Sequence, residues 1–174
     1  MVEEIAPGLY RFRLFRTLAE CDDVLRMIDA ERAKHSGAPN TMNRYGVTLG
    51  GKMRPFLADL VRDHVQPLTP DGMTLCKHPI AFAVDYTPRT QAGLALHTDA
   101  SSMTLNVCLG RKFRGGRLAC YPSGEDRAAI LLKQEPGYAL VHAGPLPHRA
   151  LRITSGSRTN LVLWCRARGA QQFA

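Results

Sequence analysis

The sequence has no uninterrupted apolar run long enough to cross a bilayer, which argues against a helical membrane protein. Its first residues, MVEEIAPGLYRFRLF, are acidic and then mixed. They lack the basic stretch followed by an apolar one that marks a secretory signal, so an intracellular location, cytoplasmic or otherwise, is expected. No CxxC pair exists, and the five cysteines (Cys21, Cys76, Cys108, Cys120, Cys165) are scattered and odd in number. Free thiols in a reducing compartment fit this better than a disulfide framework or a thiolate zinc site. Internal repeats and low-complexity segments are absent as well. The net charge is +8 and the pI about 9.6, yet the basic residues never run together. A basic surface is the simplest reading, although the charge permits an acidic partner such as nucleic acid, an anionic peptide or a small dianion.

What is present divides into two textures. At 174 residues the chain has the length of one domain with a sizeable core. Leu9 to Phe15 alternates, with Tyr10, Phe12 and Leu14 opposite Arg11 and Arg13, and reads as a half-buried strand. Thr17 and Glu20 form a capping box that opens a helix. Leu18, Cys21, Val24, Leu25 and Ile28 recur on its face, and Ser36-Gly37 ends it. A second helix is predicted from Pro55, with Phe56, Leu60, Val61 and Val65 on one side and Pro67 as its stop. From about residue 78 short runs alternate with turn signals. The runs are 80–86, 94–97, 103–109, 117–121, 129–132, 138–142, 148–153 and 159–164. Many short strands at this spacing predict a sandwich or small barrel covered on one sheet by the two helices.

Chemistry concentrates in the second part. In extended backbone His97 and Asp99 point to the same face, so an imidazole and a carboxylate can grip one ion. His148 lies 49 residues beyond Asp99 at the start of another predicted strand. Two histidines and one carboxylate on one face of a metal leave the opposite positions open, the pattern of non-haem iron(II) oxygenases. Six histidines leave the third ligand open, and His142 competes with His148 for it. Arg158 follows His148 by ten residues, across the stretch Thr154-Ser155-Gly156-Ser157. Read as a hairpin, that stretch returns the last strand beside the one carrying His148. An arginine there faces the metal's cavity, where its guanidinium fork would hold a carboxylate. 2-Oxoglutarate supplies both ends: a 2-oxo acid to chelate iron and a distal carboxylate for the arginine. Thr104, Asn106 and Cys108 share one face of a strand whose other face is Met103, Leu105, Val107 and Leu109. This predicts a polar cavity wall backed by the helices. Arg158 and Asn160 share a face in the same way.

At these residues the chain resembles the Fe(II)/2-oxoglutarate-dependent oxygenases of the prolyl 4-hydroxylase-like class. The resemblance spans roughly residues 78–168 and rests on His97-Thr98-Asp99, on Thr104–Gly116 ending in Gly-Gly, and on His148 through Arg158 to Leu163-Trp164. The run Thr104–Gly110 is similar to the branch called 2-oxoglutarate and iron-dependent oxygenase domain-containing proteins. The resemblance implies a mainly β fold with N-terminal helices: a double-stranded β-helix of the jelly-roll, cupin-like kind, with helices packed on one sheet. It implies one domain over 1–174, with helical support at about 17–66 and the β-helix at about 78–168. His97, Asp99 and His148 become the iron ligands, Arg158 the partner of the 2-oxoglutarate C5 carboxylate, and Tyr86 and Asn106 co-substrate contacts. His142 becomes a pocket-lining neighbour. Cys108 stands where many relatives carry a second C5-carboxylate contact.

The implied reaction uses Fe(II), 2-oxoglutarate and O2, with ascorbate a further candidate. It hydroxylates a C–H bond and releases succinate and CO2. A protein or peptide side chain is the expected target, and the loop Gly37–Val47 (Asn40, Asn43, Arg44, Tyr45) is a candidate cover for the site mouth. Two alternatives stand beside it. A nucleic-acid dealkylase fits the basic charge, but Trp164 occupies the place of that group's second arginine. A non-catalytic metal-binding jelly roll has no need of Arg158.

Overall fold

A computed structural model describes residues 1–34, 46–124 and 127–169. The chain opens with two strands, β1 (Val2–Ala6) and β2 (Leu9–Arg13), followed by helix α1 (Leu18–Lys34). The capping box forms as the sequence predicts. The Thr17 N–H donates to Glu20 Oε2 (2.8 Å), and the Glu20 N–H donates back to Thr17 Oγ1 (3.3 Å). Cys21, Val24, Leu25 and Ile28 are buried, whereas Leu18 at the helix start is exposed, contrary to its predicted place on the buried face. Strand β3 (Val47–Leu49) leads to α2 (Arg54–Leu60), with Pro55 in its first turn. The chain then widens through a π turn (Val61–Val65) and tightens through a 3-10 turn (Gln66–Leu68) that contains Pro67, after which Thr69 is extended. Gly37–Val47, expected to cover the site, lies outside the described residues up to 45, as does the helix stop at Ser36-Gly37.

Nine strands follow: β4 (Ile80–Tyr86), β5 (Met103–Gly110), β6 (Phe113–Gly115), β7 (Leu118–Cys120), β8 (Ile130–Leu132), β9 (Tyr138–Ala143), β10 (His148–Ala150), β11 (Ile153–Gly156) and β12 (Arg158–Cys165). They make a seven-stranded sheet in the order β1-β2-β9-β5-β12-β4-β3, a three-stranded sheet β10-β7-β8 and a two-stranded sheet β11-β6. The expected mainly β double-sheet fold with helices on one sheet is present.

Side-chain alternation sorts two cores. Toward the helices point Ala81 and Ala83 of β4, Met103, Leu105, Val107 and Leu109 of β5, Ala139 and Val141 of β9, and Leu161 and Leu163 of β12. They pack with Val24, Leu25, Ile28, Leu57, Leu60, Val61 and Val65. Toward the smaller sheets point Phe82, Val84, Tyr86, Leu140 and Val162, which meet Leu118, Cys120, Leu132, Ala150 and Ile153. The metal-type and co-substrate-type residues sit among this second, inner set.

Two expectations need correction. Residues 94–97 are no strand: the segment is extended and touches β10 only by a single bridge, His97 with His148, and by isolated backbone bonds. Thr154–Ser157 is no hairpin returning beside His148. Ile153–Gly156 is itself a strand paired with β6, and β12 crosses to the large sheet between β4 and β5. The turn residues seen in the sequence belong to a sheet-to-sheet crossover, which local turn chemistry cannot tell from a hairpin. Strands β1, β3, β6 and β11 are too short or too polar to stand out as patterns.

Leu163 is fully buried on the helix side, while Thr17 caps an exposed helix end. Leu163→Ala is expected to lower the unfolding free energy by about 3 kcal/mol, and Thr17→Ala by about 1 kcal/mol. Urea denaturation of the two variants checks both values.

Candidate functional site

His97 and His148 are held opposite one another by the backbone. The His97 N–H donates to the His148 carbonyl (3.0 Å), and the His148 N–H donates to that of His97 (2.9 Å). Residues so paired present their side chains on the same face, and the two ring centres lie 4.3 Å apart. Each Nδ1 lies against a backbone carbonyl, Ala95 for His97 (2.8 Å) and Leu146 for His148 (2.9 Å). A carbonyl only accepts, so Nδ1 carries the proton and the Nε2 lone pair is left free. Asp99 follows two residues after His97 and is anchored by its own N–H on the Gly144 carbonyl (2.9 Å). Thr104 Oγ1 donates to Asp99 Oδ2 (2.7 Å), while Oδ1 has no partner among the described residues.

The three free donors converge. His97 Nε2 is 3.6 Å from Asp99 Oδ1, and His148 Nε2 is 3.8 Å from Asp99 Oδ2. One donor atom from each of the three lies within 4.8 Å of the others. His97 Nε2 and Asp99 Oδ1 are buried without a hydrogen-bond partner, an unfavourable state for polar atoms unless something binds them. The set therefore fits a divalent metal: two neutral imidazoles and a carboxylate, aimed at one point. Burial, and then the neighbouring His142, push His148 down to about 4, so it stays neutral and able to ligate near neutral pH. Burial would raise Asp99, but His97, His148 and Thr104 more than offset it and hold the carboxyl below its ordinary value. His97 is lowered by burial and raised more strongly by Asp99 and the Ala95 carbonyl.

His142, the competing histidine, is fully buried on β9. Its Nε2 stands 3.9 Å from Asp99 Oδ2, and its ring is edge-on to His148 with centres 4.7 Å apart. It stands outside the three-residue convergence and beside it.

The three ligand-type residues line a small cavity with Val84, Tyr86, Leu94, Asn106, Leu118, Ala150 and Val162. Arg158 stands one side chain behind this lining. It is paired in register with Tyr86, and its guanidinium lies 4.3 Å over the Tyr86 ring and 5.6 Å from that of Phe113. Arg158 is 2% exposed, donates to the Gly116 carbonyl, and forms no ion pair among the described residues; its Nε has no partner. Gly116 has φ +66, and a Cβ there would lie 2.6 Å from the guanidinium, so the Gly-Gly pair keeps room for the arginine. On the same face Asn160 Nδ2 donates to Asn106 Oδ1 (2.6 Å) and to Gln134 Oε1 (2.8 Å). Asn106 thus lines the cavity and is fixed from behind. Cys108 is buried nearby, and burial pushes its thiol up to about 11, so it stays uncharged.

Two contributors were missed in the sequence. Gln134 is buried, and the signal was there: Leu132 and Gln134 share the inward face across exposed Lys133. Phe113 sits in a three-residue strand with no readable period.

No family model matches the chain. It is 32% identical over 96% of its length to the 2-oxoglutarate and iron-dependent oxygenase domain-containing protein ICU11 of Arabidopsis thaliana, covering 47% of that protein. It is 34% identical over 94% of its length to the 2-oxoglutarate and iron-dependent oxygenase domain-containing protein 2 of Danio rerio, covering 51% of it. The chain therefore spans about half the length of these relatives. Its fold is similar to that of a prolyl hydroxylase from Trichoplax adhaerens, solved in complex with a hypoxia inducible factor oxygen degradation domain peptide fragment. That likeness has a TM-score of 0.73 at 15% identity and covers 94% of this chain and 88% of the other. Over nearly its whole length the chain is thus similar in sequence to 2-oxoglutarate and iron-dependent oxygenase domain-containing proteins, and its fold and three converging metal-type ligands agree with that likeness.

Proposed function

We propose that residues 1–174 form one catalytic domain that hydroxylates a C–H bond on a protein or peptide side chain. In this reading His97, Asp99 and His148 hold Fe(II), and Arg158 holds the C5 carboxylate of 2-oxoglutarate. The observation that carries it is Arg158: a buried cation with no ion pair among the described residues, stacked on the wall of the cavity that holds the three ligand atoms. A buried charge without a counter-ion is costly, and a dianion whose other end chelates the metal removes that cost.

Each residue then has a task. The carbonyls of Ala95 and Leu146 fix the imidazole tautomers, and Thr104 fixes the Asp99 carboxylate. Tyr86 and Asn106 flank the co-substrate between metal and arginine. Val84, Leu118, Ala150 and Val162 keep the cavity dry, so that reactive species meet substrate rather than water. When bound, iron with 2-oxoglutarate and O2 supplies oxidative decarboxylation to succinate and CO2, coupled to hydroxylation. A protein target is favoured over a nucleic acid because Trp164, edge-on to Phe82, fills the position where dealkylases carry a second arginine. The peptide seen with the Trichoplax adhaerens enzyme supports the same choice by analogy.

Arg158→Ala is expected to weaken 2-oxoglutarate binding at least about thirtyfold, on the order of 2 kcal/mol, with metal affinity nearly unchanged. Calorimetric titration of each ligand checks this, and equal loss of both contradicts the assignment. His148→Ala is expected to abolish Fe(II)-dependent succinate formation while His142→Ala retains part of it. The opposite result exchanges their roles.

A further inference from the structure

Besides a groove lined by Arg62, Lys77 and Arg168, two cationic grooves lie outside the metal cavity among the described residues. One is flanked by Arg13, Arg111, Lys112, Arg114 and Lys133 and shares no lining residue with the cavity. The other runs along residues 90–96 and 149–152 and shares Leu94 and Ala150 with it. An occupant of this second groove is therefore already beside the metal site.

Two properties define what the second groove accepts. Among the described residues its charge has one sign: Arg149 and Arg152 are exposed cations, and no carboxylate of those residues lines it. Neither arginine forms an ion pair among the described residues, and Arg149 rests only 5.9 Å from the Tyr121 ring centre. The second property is an open backbone edge. Segment 92–97 lies against β10 and its continuation, with the Leu94 N–H on the Ala150 carbonyl (2.9 Å) and the Ile153 N–H on that of Ala92 (2.7 Å). Gly93 makes this approach feasible, since a Cβ there would stand 2.5 Å from the Ala150 oxygen. These bonds use one edge of the segment. The N–H groups of Gly93 and Ala95, which alternate with that of Leu94, have no partner among the described residues, and Ala95 is exposed; the Ala95 carbonyl is already bonded to His97 Nδ1.

Unpaired backbone groups in a row are a template for another extended chain. Among the described residues no aromatic side chain lines the groove to offer the bases of a nucleic acid a stacking surface. We propose that this groove docks the protein substrate through an extended, carboxylate-bearing segment. Its backbone adds to the edge at Gly93 and Ala95, and its acidic side chains meet Arg149 and Arg152. Because His97 follows that edge, a strand laid on it delivers its next residues to the metal. The inference rests on the oxygenase reading and names the substrate class for the same site.

Fluorescence anisotropy on the metal-loaded protein, held without oxygen and with 2-oxoglutarate, tests it. The labelled probes are an alternating glutamate–threonine dodecapeptide, its lysine–threonine counterpart and an oligothymidylate of the same number of units. The acidic peptide should bind and the lysine peptide should not. Arg149→Glu with Arg152→Glu should weaken acidic-peptide binding about tenfold or more. Arg111→Glu with Lys112→Glu, the same change of net charge in the other groove, should change it less than about twofold. Equal losses from the two pairs, tighter binding of oligothymidylate, or no binding of the acidic peptide to the wild type each overturn the proposal. Arg149→Gln with Arg152→Gln repeats the test if charge reversal disturbs folding. The visible absorption band of the Fe(II)–2-oxoglutarate complex is recorded in every protein. Its absence in the wild type overturns the oxygenase reading instead, and its retention in the groove variants shows that a lost peptide was lost at the groove.

Discussion

The four strands β9, β5, β12 and β4 are covered on both faces, and the two-residue period of a strand gives each face to a different purpose. The helix side takes an apolar set, from Ala81 and Leu105 to Val141 and Leu163, closed at one end by Asp85, which bonds Thr159 and Arg32. That side supplies the cohesion, so the inner face is free to carry Tyr86, Thr104, Asn106, His142, Arg158 and Asn160. Buried polar groups of this kind are tolerated only where each finds a partner or is left for a ligand. Shifting any of these strands by one residue would move its polar groups into the helix-side core, so register and site are specified together.

Within that frame the polar groups fall into two classes. Some are engaged: the Nδ1 atoms of His97 and His148 on carbonyls, Asp99 Oδ2 on Thr104, Asn160 Nδ2 between Asn106 and Gln134. Others are buried and lack a partner among the described residues: His97 Nε2, Asp99 Oδ1 and Arg158 Nε, and with them His142 Nε2, Asn160 Oδ1 and Trp164 Nε1. The engaged set orients the open set, whose first three members are complementary in charge to a divalent metal and a carboxylate. A co-substrate carrying a metal-chelating end and a distal carboxylate satisfies both at once.

Much of this was legible in the sequence, because it is governed by local periodicity. The capping box Thr17–Glu20, the strands at 80–86 and 103–109 (the latter reaching Gly110 in the structure), and the division of Met103–Leu109 from Thr104–Cys108 follow from spacing alone. His97-Thr98-Asp99 is a local pattern too. What stayed hidden depends on contacts distant in sequence. The crossover at Thr154–Ser157 uses the same turn residues as a hairpin, and only the sheet partners of β11 and β12 tell the two apart. Spacing leaves His142 and His148 in competition for the third ligand; in the structure the backbone pairing of His148 with His97 sets those two rings side by side. The open edge at Gly93 and Ala95 appears as a strand in the pattern and as an unpaired edge only in three dimensions.

The central claim is that Arg158 exists to receive a distal carboxylate while His97, Asp99 and His148 hold the metal. The most direct measurement compares two 2-oxo acids of equal chain length on the metal-loaded protein without oxygen. 2-Oxoglutarate has the distal carboxylate, and 2-oxopentanoate ends in a methyl group. The account predicts that 2-oxoglutarate binds at least about a hundredfold more tightly, because the analogue leaves a buried guanidinium unpaired. Equal affinity for the two would contradict it.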